Sequence, residues 1–530
     1  MSLMLSGAGI APVAAQTNIS FAVAKEIDAF SKSVASAVAA ADDKEIAEYY
    51  RDTDYAPIWT GEGQEGRRSA LLSALAGAGA HGLPVRRYDP AALIAASHAV
   101  RTEGDRGRLD VMMTEALLDY AHDVQTGALT PGKVIPLIKR EVPLRDRRAN
   151  IEAFVRGEPV AFLKSLPPKT QAYAQLMRAK FELEQLVANG GWGPKVDAKS
   201  LKPGNTGPTV LQLRDRLIAL NYMPRSVTAS YDASMQKAVQ SFQVDMGLTP
   251  DGVAGASTIL AINTDPQTRL EAVVVAMERE RWMNIPRGKR HIWVNLTDFT
   301  AKIVDHGRVT FSTRSVIGAD SADRQTPEFS DEMEYMVVNP SWNVPRSITT
   351  KEYLPMMQRN PNAAGHLKII DSRGRVVPRS AINFAGYTAR NFPYAMRQAP
   401  SDGNALGLVK FMFPNPYNIY LHDTPSKSLF QREVRAFSHG CIRLGDPFDF
   451  AYALLAMQTD DPVGLFKSYL KTGRETNVKL EHPVPVHLVY FTAYPSPKGR
   501  IEYRNDVYGR DATIFRALTA AGVVLGPHQG

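Results

Sequence analysis

The chain has 530 residues, 44% hydrophobic and 22% charged, with a formal net charge of +8 and a pI of about 9.2. That length predicts about three or four domains at ~150 residues each. The composition is globular and excludes a wholly disordered chain, a collagen-like rod and a multi-pass membrane protein. No run approaches the ~20 consecutive apolar residues that span a bilayer, so no integral membrane segment is expected. The basic balance would suit an anionic polymer or a nucleic acid. No long Lys/Arg run or nucleic-acid-binding motif accompanies it, so no nucleic-acid partner is expected. A mildly basic surface accounts for the charge equally well. There is one cysteine, Cys441, and no intrachain disulfide can form. A lone thiol is either a small buried hydrophobe or a reactive group, and its neighbours must decide.

In chain order, residues 1–16 (MSLMLSGAGIAPVAAQ) are apolar and small, and Val13-Ala14-Ala15 fits an export cleavage site. No Lys or Arg precedes it. The expectation is a truncated or atypical signal, with export to the periplasm. Residues 17–187 predict a helical scaffold. Ile27, Phe30, Val34 and Val38 recur at helical spacing, as do Leu109, Met112, Met113, Leu117 and Tyr120. Asp89-Pro90 reads as a cap followed by a first-turn proline. His81, His98 and His122 read as surface or packing histidines. Residues 188–207, with clustered Gly, Pro and Lys, predict a linker.

Residues 208–265 predict three short helices. Val210, Leu213, Leu217 and Leu220 share one face, Tyr231, Met235, Ala238, Val239 and Phe242 another, and Ser257–Ile262 supplies the third. A connecting helix is expected in 266–289. From 290 to 475 the pattern becomes β-rich, with strands at His291–Phe299, Ala301–Asp305, Arg308–Gly318, Glu334–Val338 and Asn418–His422. Residues about 346–405 interrupt it as an insertion of lid or subdomain size, with a helix at Lys351–Gln358. A helix follows at 447–457, with Asp446 as its cap. Residues 476–530 are expected as a C-terminal extension packing on the scaffold or the β-rich domain, with one strand at Val486–Ala493. The fold class is multidomain α+β.

Chemistry concentrates in Tyr420-Leu421-His422-Asp423 and Ser438-His439-Gly440-Cys441-Ile442-Arg443. Thiolate, not thiol, attacks carbonyl carbon, and a nearby imidazole can take the thiol proton. His439, two residues from Cys441, would share its face in an extended segment. His422 ends a strand that a returning loop could bring beside Cys441. Spacing alone permits either as the base. Gly440 allows close backbone approach, so the Gly440 and Cys441 N–H groups are candidates for an oxyanion hole. Arg443 is either a carboxylate anchor or half of a structural ion pair.

His422, fifteen intervening residues and then Ser438-His439-Gly440-Cys441 resemble the L,D-transpeptidase (YkuD-type) signature. Asn339–Pro345, Asn404–Gly407 and Lys410–Asn415 are similar to its YcbB-like branch. Residues 208–265, with Leu211-Gln212-Leu213, Phe242-Gln243 and Asp251-Gly252, resemble a three-helix peptidoglycan-binding domain. The resemblance implies Cys441 as nucleophile, His422 as general base, and Asp423 orienting that base through its backbone carbonyl. It makes His439 and Ser438 supporting residues near the oxyanion site and gives Arg443 the donor peptide. It further implies a monomer with peptidoglycan stem peptides as donor and acceptor, acylation of Cys441 by carbapenems, and no metal or cofactor; the product is 3→3 cross-links, or with another acceptor 1→3 cross-links, lipoprotein attachment, D-amino-acid exchange or L,D-carboxypeptidase hydrolysis. Three rivals remain at this level. A zinc site would use His422, Asp423, His439 and Cys441, but H-E-x-x-H is lacking. A papain-like hydrolase would place Cys before His. A non-catalytic wall-binding scaffold would bury an inert Cys441.

Overall fold

A computed structural model describes residues 18–27, 37–497 and 499–526. The expected export signal, Phe30, Val34 and the side chain of Val38 lie outside the described residues. The chain divides into two compact units, the first formed by the stretches up to 136, 141–285 and from 492 onward, the second by 137–140 with 286–491.

The first unit is mainly helical. Its longest helix, Glu103–Thr126, begins with a reciprocal cap between Thr102 and Asp105. Leu109, Met113, Leu117 and Tyr120 form its buried stripe and join Trp59, Leu71 and Phe154 in one core. Asp110 is fully buried on the same helix and accepts from Tyr50 Oη, the Ile58, Trp59 and Thr60 N–H groups, and Thr60 Oγ1. The charge thereby stitches an irregular segment to the helix. Asp89 caps Pro90–Ala99 through the Ala92 N–H.

The three-helix bundle comprises Pro208–Ala219, Ala233–Asp245 and Ala256–Ile262 around Leu213, Leu217, Met235, Val239 and Phe242. The expected linker is not a free spacer. Val196 and Leu201 are buried in the bundle core, and Leu201 pairs with Ala254 across an isolated bridge. Two apolar side chains outweigh the turn-forming composition around them. Pro266–Trp282 is buried along most of its length rather than merely connecting. Its charges are paired inside, Arg281 with Glu278 at 2.6 Å and Arg279 with Asp511 at 3.1 Å.

The second unit is built on a sheet of β1 (Arg290–Asn295), β2 (Thr300–Asp305), β3 (Arg308–Gly318), β4 (Phe329–Val338), β8 (Val409–Met412), β9 (Leu421–His422), β10 (Ala436–Ser438), β11 (Ile442–Leu444) and β12 (Thr476–Val489). The order is β10-β3-β11-β9-β8-β4-β12-β1-β2, and β2 also pairs with β3, so the pairings return on themselves. The insertion, together with the chain just before it, forms a small sheet of β5 (Trp342–Asn343), β6 (Lys368–Ile370) and β7 (Ala395–Gln398), ordered β5-β7-β6. Its core comprises Trp342, Met357, Ile369, Phe384, Phe392 and Met396. The helix expected at Lys351–Gln358 is a π-turn, Thr349–Tyr353, running into Leu354–Arg359.

Two expectations are corrected here. Residues 476–489 are no extension: β12 lies inside the sheet, parallel to β1 and antiparallel to β4. The strand expected at Val486–Ala493 is the end of a longer one that begins at Thr476; the register shifts between Lys479 and Val484, around Pro483, while Pro485 pairs with Glu332. Asp446 does not cap Pro447–Leu455, because its carboxylate instead accepts from Thr313 Oγ1 at 2.8 Å.

Candidate active site

Three neighbouring strands build the site. β9 and β11 run parallel with Leu421 opposite Ile442 and His422 opposite Arg443. β8 and β9 run antiparallel with Lys410 opposite His422. Opposed residues share a face, and so do residues two apart. One face therefore presents Lys410, Tyr420, His422, Cys441 and Arg443. The Ile442 N–H donates to the Tyr420 carbonyl at 3.1 Å, which sets Cys441 beside Tyr420 and diagonal to His422. The pairing differs by two residues from one that sets His422 directly opposite Cys441. Gly440, at φ +115°, breaks the chain between β10 and β11, so β11 starts only at Ile442.

His422 is buried, and its Nδ1–H donates to the Asp423 carbonyl at 2.5 Å. A carbonyl only accepts, so that nitrogen carries the proton and Nε2 keeps its lone pair. Burial first, then the Arg443 charge, pushes the ring's pKa down to about 3, against the opposing pull of the Asp423 and Leu406 carbonyls. The Asp423 side chain does separate work. It accepts from the Leu408 and Thr424 N–H groups at 2.9 and 2.7 Å and from Lys427 Nζ at 2.6 Å. Gly407, at φ +60°, leaves room for that carboxylate, which a Cβ there would meet at 2.2 Å.

The Cys441 thiol donates to the Asn418 carbonyl at 3.5 Å. Burial pushes its pKa up to about 11, although hydrogen bonding from Tyr420 and the charges of Arg443 and Lys410 oppose the rise. At neutral pH the pair is thus a thiol and a neutral imidazole, not a standing ion pair.

Ser438 is buried and donates to the Cys441 carbonyl at 2.5 Å, while the Gly440 N–H donates to Ser438 Oγ at 3.1 Å. This corrects the oxyanion expectation for Gly440, whose N–H is already engaged. The Cys441 N–H has no partner among the described residues. His439 points its Nε2 at Glu352 Oε1, 2.6 Å away. Arg443 forms no ion pair among the described residues, and its buried Nε has no hydrogen-bond partner.

Sequence reasoning did not single out Tyr420, Lys410 or Glu352 as functional. Tyr420 was findable, since it lies one strand repeat before His422. Lys410 and Glu352 need a register and an insertion that no local pattern reports.

Residues 289–466 match the L,D-transpeptidase catalytic domain (YkuD). Residues 206–262 match a "Putative peptidoglycan binding domain" and residues 44–179 a scaffold domain. The chain therefore carries a YkuD-type L,D-transpeptidase catalytic domain together with those two domains. A curated relative from Haemophilus influenzae, named "Putative L,D-transpeptidase", is 33% identical over 242 residues, covering 45% of this chain and 48% of that protein. The chain thus spans about half the length of that relative. Solved L,D-transpeptidases from Stackebrandtia nassauensis and Xylanimonas cellulosilytica align at 15% and 16% identity. Each alignment covers 56% of this chain, with 96% and 98% of the solved chains. TM-scores of 0.22 and 0.17 give these superpositions no weight.

Proposed function

We propose that the protein is a periplasmic peptidoglycan L,D-transpeptidase with Cys441 as nucleophile and His422 as general base. One observation carries this reading: the Asp423 carbonyl holds the His422 Nδ1–H, which leaves Nε2 as an acceptor on the face that also presents Cys441. Strands about 4.8 Å apart and a rise of about 3.3 Å per residue separate the two Cα atoms by about 8 Å, a span their side chains can bridge. His439 is less suited, because Glu352 occupies its Nε2.

In the first step Sγ attacks the carbonyl on the L-centre of the third residue of a tetrapeptide stem while Nε2 takes the thiol proton. The developing oxyanion faces the Cys441 N–H. The bond to the terminal D-alanine breaks, and His422 returns its proton to the leaving amine. The thioester is then attacked by the side-chain amine of diaminopimelate on a second stem. That amine's proton passes to His422 and on to Cys441 Sγ as the C–S bond breaks, so a 3→3 cross-link forms and the thiol and neutral imidazole are restored. No nucleotide is needed, since the donor peptide bond supplies the energy. Arg443 pairs with a donor carboxylate, as its unpaired buried nitrogen supports. The insertion favours transfer by excluding water. A carbapenem acylates Cys441 by the same route.

Mass spectrometry of muropeptides formed from purified tetrapeptide dimers tests the reading. Cross-linked product is expected from the parent protein and from neither Cys441→Ala nor His422→Ala. Near-normal turnover in His422→Ala would transfer the base role to His439.

A further inference from the structure

The insertion delivers one carboxylate to the edge of the nucleophile loop. Glu352 lies in the π-turn Thr349–Tyr353, and its Oε1 accepts from both Arg324 Nη2 at 2.7 Å and His439 Nε2 at 2.6 Å. The two donors belong to loops pinned together beside Cys441. Thr326 Oγ1 donates to the Gly440 carbonyl at 2.7 Å, and the Ala319 N–H donates to the Ser438 carbonyl at 2.8 Å. The acceptor alone comes from the insertion. Neither Arg324 nor His439 has another carboxylate partner among the described residues. All three side chains are about one-third exposed, so solvent and solutes can reach them. The neighbouring Lys351–Asp323 pair, 3.1 Å apart, holds the same turn to the same loop.

A guanidinium and an imidazole N–H converging on one oxygen make a carboxylate-recognition pair. We infer that Arg324 and His439 form a carboxylate subsite for the substrate peptide, with Glu352 as a built-in occupant that the substrate's own carboxylate displaces. The identity of the peptide rests on the transpeptidase reading; the anion subsite does not. Displacement couples entry of the peptide to loss of the Glu352 tie between the insertion and the nucleophile loop, leaving the Lys351–Asp323 pair as the remaining tie.

Binding is measured by calorimetry in a Cys441→Ala background, where no turnover intervenes. The probes are the free tetrapeptide stem, its fully amidated analogue, and N-acetyl-D-alanine, which offers little beyond a carboxylate. Removing the occupant's charge with Glu352→Gln is expected to tighten the free tetrapeptide about fivefold or more, at the lower end of ordinary coupling. The amidated peptide is expected to change less than twofold. Adding Arg324→Gln is expected to cancel the gain. The His439 ring N–H resonance gives a second readout: in Glu352→Gln, free peptide restores its hydrogen-bonded shift and amidated peptide does not. Equal tightening of free and amidated peptides would reduce Glu352 to a steric latch and overturn the subsite. No gain with either carboxylate probe would overturn it too. A gain with N-acetyl-D-alanine alone keeps the subsite and counts against the stem-peptide reading.

Discussion

Alkylation of Cys441 across pH reports directly how the proposed nucleophile rests. Burial holds the thiol at about 11, and His422, at about 3, carries no charge with which to ionise it. Only thiolate reacts, so a raised pKa suppresses the rate below pH 11 and the rate climbs as pH rises toward it. At pH 7 the thiolate fraction is about 10⁻⁴, against about 3% for an ordinary thiol at ~8.5. That deficit is about 300-fold. The more basic thiolate is intrinsically more nucleophilic, by about 13-fold over 2.5 pK units at a Brønsted slope of ~0.45. Iodoacetamide should therefore label Cys441 about 25-fold more slowly than a free thiol at pH 7. Its rate should rise about tenfold per pH unit without a plateau below pH 10. His422→Ala should leave the shape of that profile unchanged. Intact-protein mass spectrometry over a pH series measures it. A plateau with a midpoint below about 8, lost in His422→Ala, would reveal a standing thiolate–imidazolium pair and refute the reasoning.

Gly318→Ala should destabilise the β-rich unit by about 3 kcal/mol in urea denaturation, because the added Cβ would meet the Arg324 carbonyl at 1.9 Å. Asp423→Ala should cost about 2–3 kcal/mol, since it orphans the Leu408 and Thr424 N–H groups. Turnover per folded molecule should fall less than about tenfold, below the ordinary contribution of a general base, because the carbonyl that holds His422 remains. Asp110→Ala leaves four buried or half-buried donors, the Ile58, Trp59 and Thr60 N–H groups and the Thr60 hydroxyl, without their acceptor, while Tyr50 Oη keeps Thr114. It should lower the melting temperature of the helical unit by about 10 °C, read by circular dichroism.

Much of this architecture is legible in residue order, where local pattern and tertiary packing agree. Of the expected helical stripe, Leu109, Met113, Leu117 and Tyr120 are buried as the period requires, whereas Met112 is exposed. β3 coincides with Arg308–Gly318, because alternation and the His306-Gly307 turn act together, both residues taking positive φ. Agreement fails where a non-local term decides. β12 carries two prolines, and its register against β4 shifts around Pro483. Val196 and Leu201 sit in a composition suited to a spacer but are captured by the bundle core. At the site, residue types identify His422 and Cys441, whereas their diagonal placement depends on where Gly440 breaks the strand. The charge states are less legible still. The thiol's shift comes first from burial, and burial is a property of the assembled sheet. Glu352 lies 87 positions before His439 and reaches it only through the fold of the insertion.

The central claim is that the Cys441 sulfur becomes acylated by a stem peptide. Intact-protein mass spectrometry after brief incubation with the free tetrapeptide tests it most directly. The account predicts a mass gain equal to the peptide acyl group without its terminal D-alanine, mapped to Cys441, absent in Cys441→Ala, and discharged by an added diaminopimelate amine. An unmodified protein that nonetheless releases D-alanine, or product formation by Cys441→Ala, would contradict it.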